Sequence, residues 1–102
     1  MTEKAKALYA LDDYEFHPVP GHEGGRNLVY VCSRNGEKRY VLRISTLGDR
    51  TEEDYLSETE FVRYLARNGA PVADVIPSVG GKLVECVEQD GHRMFISLFE
   101  DA

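Results

Sequence analysis

At 102 residues and 42% hydrophobic content, the chain has material for one core and not for two; a chain of this size buries roughly 60 to 65% of its unfolded surface. Its formal net charge of -6, with Lys and Arg scattered among acidic neighbours, leaves no basic stripe for a nucleic-acid backbone. Nothing approaches eighteen consecutive apolar residues and the first residues hold no apolar run of signal-peptide length, so the expectation is a soluble, cytoplasmic protein with neither nucleic-acid nor membrane partners.

In chain order, Glu3 to Leu11 has the Ala, Lys, Glu and Leu content of a short helix, ended by Asp12-Asp13. Residues 1–12 are therefore read as an N-terminal extension or short helix. Tyr14 to Val19 alternates aromatic and polar residues and predicts a first strand, at a sheet edge because Pro18 cannot donate to a ladder. Gly21, Gly24 and Gly25 follow within five residues. A glycine-rich turn lets backbone amides approach a phosphate closely; it is equally what a plain flexible hairpin looks like.

Asn27 to Cys32 and Tyr40 to Ile44 predict two further strands, joined through Asn35-Gly36, the strongest short hairpin signal. With a two-residue loop, Arg34 faces Glu37, Tyr30 faces Val41 and Leu28 faces Arg43. Leu28, Tyr30, Val41 and Arg43 would then share one face, with Val29, Val31, Tyr40, Leu42 and Ile44 on the other; a bulged, three-residue loop would shift this pairing. Cys32 and Cys86 lie in predicted strands without metal-ligand spacing, so reduced core thiols are expected over a disulfide. His17, His22 and His92 show no ligand spacing, and no metal site is assigned.

Thr51 to Gly69 predicts the principal helix. Thr51 is the N-cap, Glu52, Glu53 and Asp54 occupy the anion-favouring first turn, and Asn68-Gly69 closes the end. On a helical wheel Tyr55, Phe61, Val62 and Leu65 form an apolar stripe, with Glu52, Thr59, Glu60, Arg63 and Arg67 opposite. Glu58 falls inside the stripe. A carboxylate aimed at a core costs several kcal/mol, on the order of an unpaired buried charge, unless a cation meets it. Arg43, the one basic residue in the apolar run Tyr40-Val41-Leu42-Arg43-Ile44, is the natural partner; the alternative is a Glu58 at the stripe's edge that reaches water. Lys82 to Val87 and His92 to Phe99 predict two last strands around Gln89-Asp90-Gly91. The whole reads as an α+β domain, a five-stranded antiparallel sheet with one principal helix packed on it.

These features in this order resemble the amino-terminal lobe of the aminoglycoside phosphotransferase and choline kinase superfamily, within the protein-kinase-like fold. The likeness runs from about Tyr14 to Ala102. It is carried by the glycine turn with Asn27-Leu28-Val29-Tyr30, the Tyr40 to Ile44 strand, Glu58 to Leu65 followed by Asn68-Gly69-Ala70-Pro71-Val72, and Leu98-Phe99-Glu100-Asp101-Ala102. The Val-Leu-Arg-Ile strand and the Asn-Gly helix ending are most similar to bacterial kinases grouped with homoserine and stress-response kinases.

The resemblance implies a nucleotide-binding lobe spanning 13–102. Arg43 would hold the phosphates of ATP and pair with Glu58, Gly21, Gly24 and Gly25 would lie over the phosphates, Val41 would lie against the adenine, and the backbone from Glu100 to Ala102 would meet the adenine edge. Arg stands where protein kinases use Lys, and the full GxGxxG is absent. The catalytic Asp, the Mg²⁺ ligands and the contacts to a small-molecule acceptor belong to a second, mostly helical lobe. That lobe is absent from this chain, so the expectation is either a kinase fragment inactive alone or a one-lobe protein-binding module. A lobe without its partner would leave apolar surface exposed and self-associate weakly.

Overall fold

A computed structural model describes residues 2–19, 27–46, 51–89 and 91–101. Its elements are α1 (Thr2–Tyr9), β1 (Glu15–Pro18), β2 (Asn27–Arg34), β3 (Glu37–Ser45), α2 (Glu52–Arg67), β4 (Val75–Ile76), β5 (Glu85–Gln89) and β6 (His92–Glu100). All strand pairs are antiparallel, in the order β1-β2-β3-β6, and β4 and β5 share the far edge of β6. The expected α+β architecture is present, with the two-residue β4 added to the five expected strands. Among the described residues no helix is long and apolar enough to cross a membrane.

The β2–β3 turn is the tight one that Asn-Gly specifies. Asn35 (φ 54°) and Gly36 (φ 79°) are both left-handed, which a primed hairpin turn requires, and Arg34 faces Glu37. Beyond the turn the expected register fails. A bulge beside Cys32 and Ser33 leaves Ser33 opposite Lys38 but Cys32 opposite Tyr40, so Tyr30 faces Leu42, Leu28 faces Ile44, Val31 faces Val41 and Val29 faces Arg43. One extra residue in β3 moves every later side chain of that strand to the other face relative to β2. Val29 and Val31, not Leu28 and Tyr30, accompany Val41 and Arg43.

The two faces have different covers. On one, Cys32, Leu42, Ile44, Ile96 and Leu98 are buried against Ala5, Tyr9 and Leu11 from α1 and the turn after it. Full burial of each aliphatic side chain contributes roughly 1.5–3 kcal/mol, so α1 is part of the fold's main core. Tyr9 fastens it by donating its hydroxyl to the Ile96 carbonyl (3.2 Å). On the other face, Tyr55 of α2 packs with Val84 and Phe95, its ring stacked on Phe95 at 4.8 Å between centroids.

Helix α2 starts and stops as its sequence dictates. Thr51 and Asp54 form a reciprocal capping box, Thr51 N–H donating to Asp54 Oδ2 (2.8 Å) and Asp54 N–H to Thr51 Oγ1 (3.2 Å). At the other end Gly69 takes φ 88°, and the Gly69 and Ala70 amides donate to the Ala66 and Leu65 carbonyls (3.3 and 3.0 Å), the paired bonds of a Schellman ending. The buried face is rotated from the expected stripe. Tyr55 and Thr59 are buried while Phe61 is 61% exposed. Thr59 tolerates burial because its hydroxyl donates to the Tyr55 and Leu56 carbonyls (3.1 and 2.9 Å), so its polar atom is satisfied by its own helix.

Candidate nucleotide-binding site

Arg43 rises from the middle of β3, between Val29 of β2 and Ser97 of β6, on the face beneath α2. Glu58 comes down from α2 to meet it, Arg43 Nη1 lying 2.6 Å from Glu58 Oε1. The carboxylate inside the helix's inner half thus has the cation that its position required. Both side chains are half-buried, 24% and 35% exposed, so the pair is neither a solvated surface bridge nor fully desolvated. Two aromatic rings flank the guanidinium, Phe99 at 5.4 Å and Tyr55 at 5.9 Å from their centroids. Ring faces attract a cation electrostatically, and together with Glu58 they hold the planar group in one orientation.

One edge of that group is left over. Arg43 Nη2 is buried and has no hydrogen-bond partner. A buried donor without an acceptor costs about 1–3 kcal/mol, and a guanidinium presents its donors as a fork suited to two oxyanions at once. With Nη1 on Glu58, Nη2 is positioned to serve an anionic oxygen from outside the chain.

Beside Arg43 the same face is apolar. Val41 lies two residues before it, and Val31 is Val41's partner across the β2–β3 ladder. Val31 also forms part of the wall of an open groove of about 650 Å³ that runs under β1 and β2, together with Pro18, Val19, His17 and Ser33. An apolar floor and a cation one step away along a strand can take a molecule that is aromatic at one end and anionic at the other.

The remaining expected site residues divide. Glu100 is exposed at the end of β6, opposite Tyr40. Its amide donates to the Asp74 carbonyl (2.9 Å) and the Asp101 amide to the Arg39 carbonyl (3.1 Å). The amides of Glu100 and Asp101 are thus occupied within the lobe, and an approaching base edge would meet what remains of that backbone. Gly21, Gly24, Gly25 and Ala102 lie outside the described residues. Val31 is not among the expected site residues because the bulge hides its facing, and Tyr55 enters the expectation only through the apolar stripe of its helix, with nothing in its spacing to mark the ring beside Arg43. Among the described residues no group of three or more His, Cys, Asp or Glu converges as a metal site.

Residues 18–100 match the phosphotransferase enzyme family. The chain belongs to that family. It is 34% identical over 77 residues to amicoumacin kinase of Bacillus subtilis (strain 168), an alignment that takes in 74% of this chain and 23% of the relative. Among solved structures it is similar to an amicoumacin kinase in complex with AMP-PNP, Ca²⁺ and Ami, with a TM-score of 0.77 and 28% identity over 99% of this chain and 30% of that one. A microcompartment-associated aminopropanol kinase shares the fold, with a TM-score of 0.82 at 18% identity, again over 30% of its own length. The chain therefore spans less than a third of the length of each of these proteins.

Proposed function

We propose that this chain is the nucleotide-binding lobe of an ATP-dependent kinase that phosphorylates a hydroxyl or amino group of a small molecule. The observation that carries the reading is the Arg43–Glu58 contact at 2.6 Å with the buried Nη2 of Arg43 left without a partner. A salt bridge serving stability alone has no need of an orphaned donor; one that waits for a phosphate oxygen does. The related amicoumacin kinase whose complex contains AMP-PNP supports the same ligand class.

In this reading ATP supplies the phosphoryl group, and the lobe's own residues bind and orient. Val31 and Val41 exclude water from one face of the adenine. Glu58, with Tyr55 and Phe99, holds the Arg43 guanidinium in the plane where Nη2 donates to the phosphate chain. The Gly21 to Arg26 segment, Glu100 and Ala102 complete the contacts around phosphates and base. A catalytic Asp, ligands for Mg²⁺ and acceptor recognition belong to a second lobe, without which these 102 residues bind but do not turn over.

The test is titration of the 102-residue chain with ATP, followed by amide resonances. Half a pocket forfeits several kcal/mol of contacts, and at about 1.4 kcal/mol per tenfold a micromolar site moves toward roughly millimolar. Shifts at Val41 and Arg43 at such concentrations are expected, with Arg43→Ala removing the part that inorganic tripolyphosphate reproduces. Shifts confined to Glu85 through Gly91, or none at saturating ATP, reject the reading.

A further inference from the structure

The groove beside the Val31–Val41 floor has a polar half that phosphate binding does not use. Strand pairing arranges the side chains of this face in rows across the sheet. His17, Val31, Val41 and Phe99 form one row, Val29 and Arg43 the next, and Glu15, Ser33 and Lys38 the row on the other side. Phe99 is backed by Val75 of β4, which is fully buried, so that end of the middle row is closed. The open volume of about 650 Å³ is at the other end, against β1, with Glu15, His17, Ser33 and Lys38 around it.

For a base resting on Val31 and Val41, with its phosphates at Arg43, the described residues offer open room for the sugar on the β1 side. The groups there suit a sugar. His17 Nε2 lies 3.0 Å from Ser33 Oγ and 3.6 Å from Glu15 Oε2. Both partners meet the same ring nitrogen, so this is not a nucleophile relay, in which carboxylate and hydroxyl occupy opposite nitrogens. The charges of Glu15 and Lys38 offset each other, which disfavours a free anion, while a carboxylate, an imidazole and a hydroxyl within one groove accept and donate to a vicinal diol.

We propose that Glu15, His17 and Ser33 form a ribose-recognising subsite in which β1 reads the sugar hydroxyls of the nucleotide. The proposal rests on the nucleotide-lobe reading and adds a specificity to it: ribonucleotides are preferred over 2′-deoxynucleotides. Losing a hydrogen bond to a charged acceptor weakens binding by about tenfold.

The experiment compares ATP, 2′-deoxy-ATP and inorganic tripolyphosphate on the 102-residue chain by amide shifts at His17, Val41 and Arg43. Expected are half-saturation about tenfold higher for 2′-deoxy-ATP than for ATP, and loss of that ratio in Glu15→Gln and in His17→Ala while the tripolyphosphate response at Arg43 is unchanged. Equal half-saturation for the two nucleotides in the unmodified chain, or a ratio that survives in Glu15→Gln, overturns the subsite and leaves the lobe reading standing. Absence of any ATP response at Val41 and Arg43 overturns both.

Discussion

Arg43 and Glu58 meet at 2.6 Å, one rising from the central strand β3 and the other descending from α2. Breaking such a pair by removing one partner strands the other, and for fully buried pairs this costs about 3–5 kcal/mol. Here both members keep partial access to water, which lowers the expectation to about 1–2 kcal/mol. Glu58→Ala should therefore lower the urea midpoint clearly, while Glu60→Ala, exposed on the same helix, should stay within about 0.5 kcal/mol of the parent. Equal midpoints for the two variants would mean that Glu58 is an ordinary solvated glutamate.

Two helix ends make a matched pair of opposite sign. Gly69 closes α2 at φ 88° and Ala10 closes α1 at φ 55°, where the Leu11 amide donates to the Lys6 carbonyl (2.9 Å). The left-handed region costs an L-residue with a Cβ roughly 1–2 kcal/mol and glycine nothing. Gly69→Ala is expected to destabilise by about 1 kcal/mol and Ala10→Gly to stabilise by a similar or smaller amount, since glycine also gains freedom in the unfolded chain. Thermal melts of the two variants moving in the same direction would contradict the strain argument.

The sequence made the fold's elements plain wherever one local rule operated alone. Asn35-Gly36 specified its turn, Thr51 with Asp54 and Asn68 with Gly69 specified both ends of α2, and Glu58 among apolar neighbours announced its partner. What stayed hidden depended on choices between equivalents. Strand β2 carries Leu28, Val29, Tyr30, Val31 and Cys32, apolar on both faces, so nothing in its composition betrayed the bulge or which valine accompanies Val41. The rotation of α2 turned on Thr59, whose hydroxyl finds its acceptors within the helix and so behaves as a core residue. Strand β4, two residues long, holds no periodicity to read.

That rotation leaves apolar surface on α2. Phe61 and Tyr64 are 61% and 63% exposed, three residues apart on the helix and therefore neighbours, and Leu56 and Val72 are also exposed. Contiguous apolar surface of this kind is uncommon on a stable monomer. Sedimentation of the chain at high concentration should reveal weak self-association through α2, reduced in Phe61→Glu and in Tyr64→Glu. A strict monomer throughout, or association untouched by both substitutions, would exclude this helix as the contact.

At alkaline pH the core itself becomes the weak point. Burial pushes the Cys32 thiol up from its ordinary 9.0 to about 11, and burial, aided by the Glu85 carboxylate, pushes the Tyr9 phenol above its ordinary 10.0. Each group holds its proton more tightly folded than unfolded. The stabilisation is complete below pH 9, where both states are protonated, and is lost as pH rises through the folded-state values because the unfolded chain releases its protons first. For Cys32 the rise from 9.0 to about 11 corresponds to about 2–3 kcal/mol spread over that pH range. Melting temperature should thus be flat from pH 7 to 8.5 and fall steeply above 9. Tyr9→Phe should cost about 1 kcal/mol at neutral pH through its lost bond to Ile96, yet soften the decline above pH 10. Thiol-reactive probes should label half-buried Cys86 well before fully buried Cys32 at pH 8, since thiolate and access are both required. Labelling of Cys32 at the rate of a free thiol in the folded chain would contradict both its burial and the alkaline transition drawn from it.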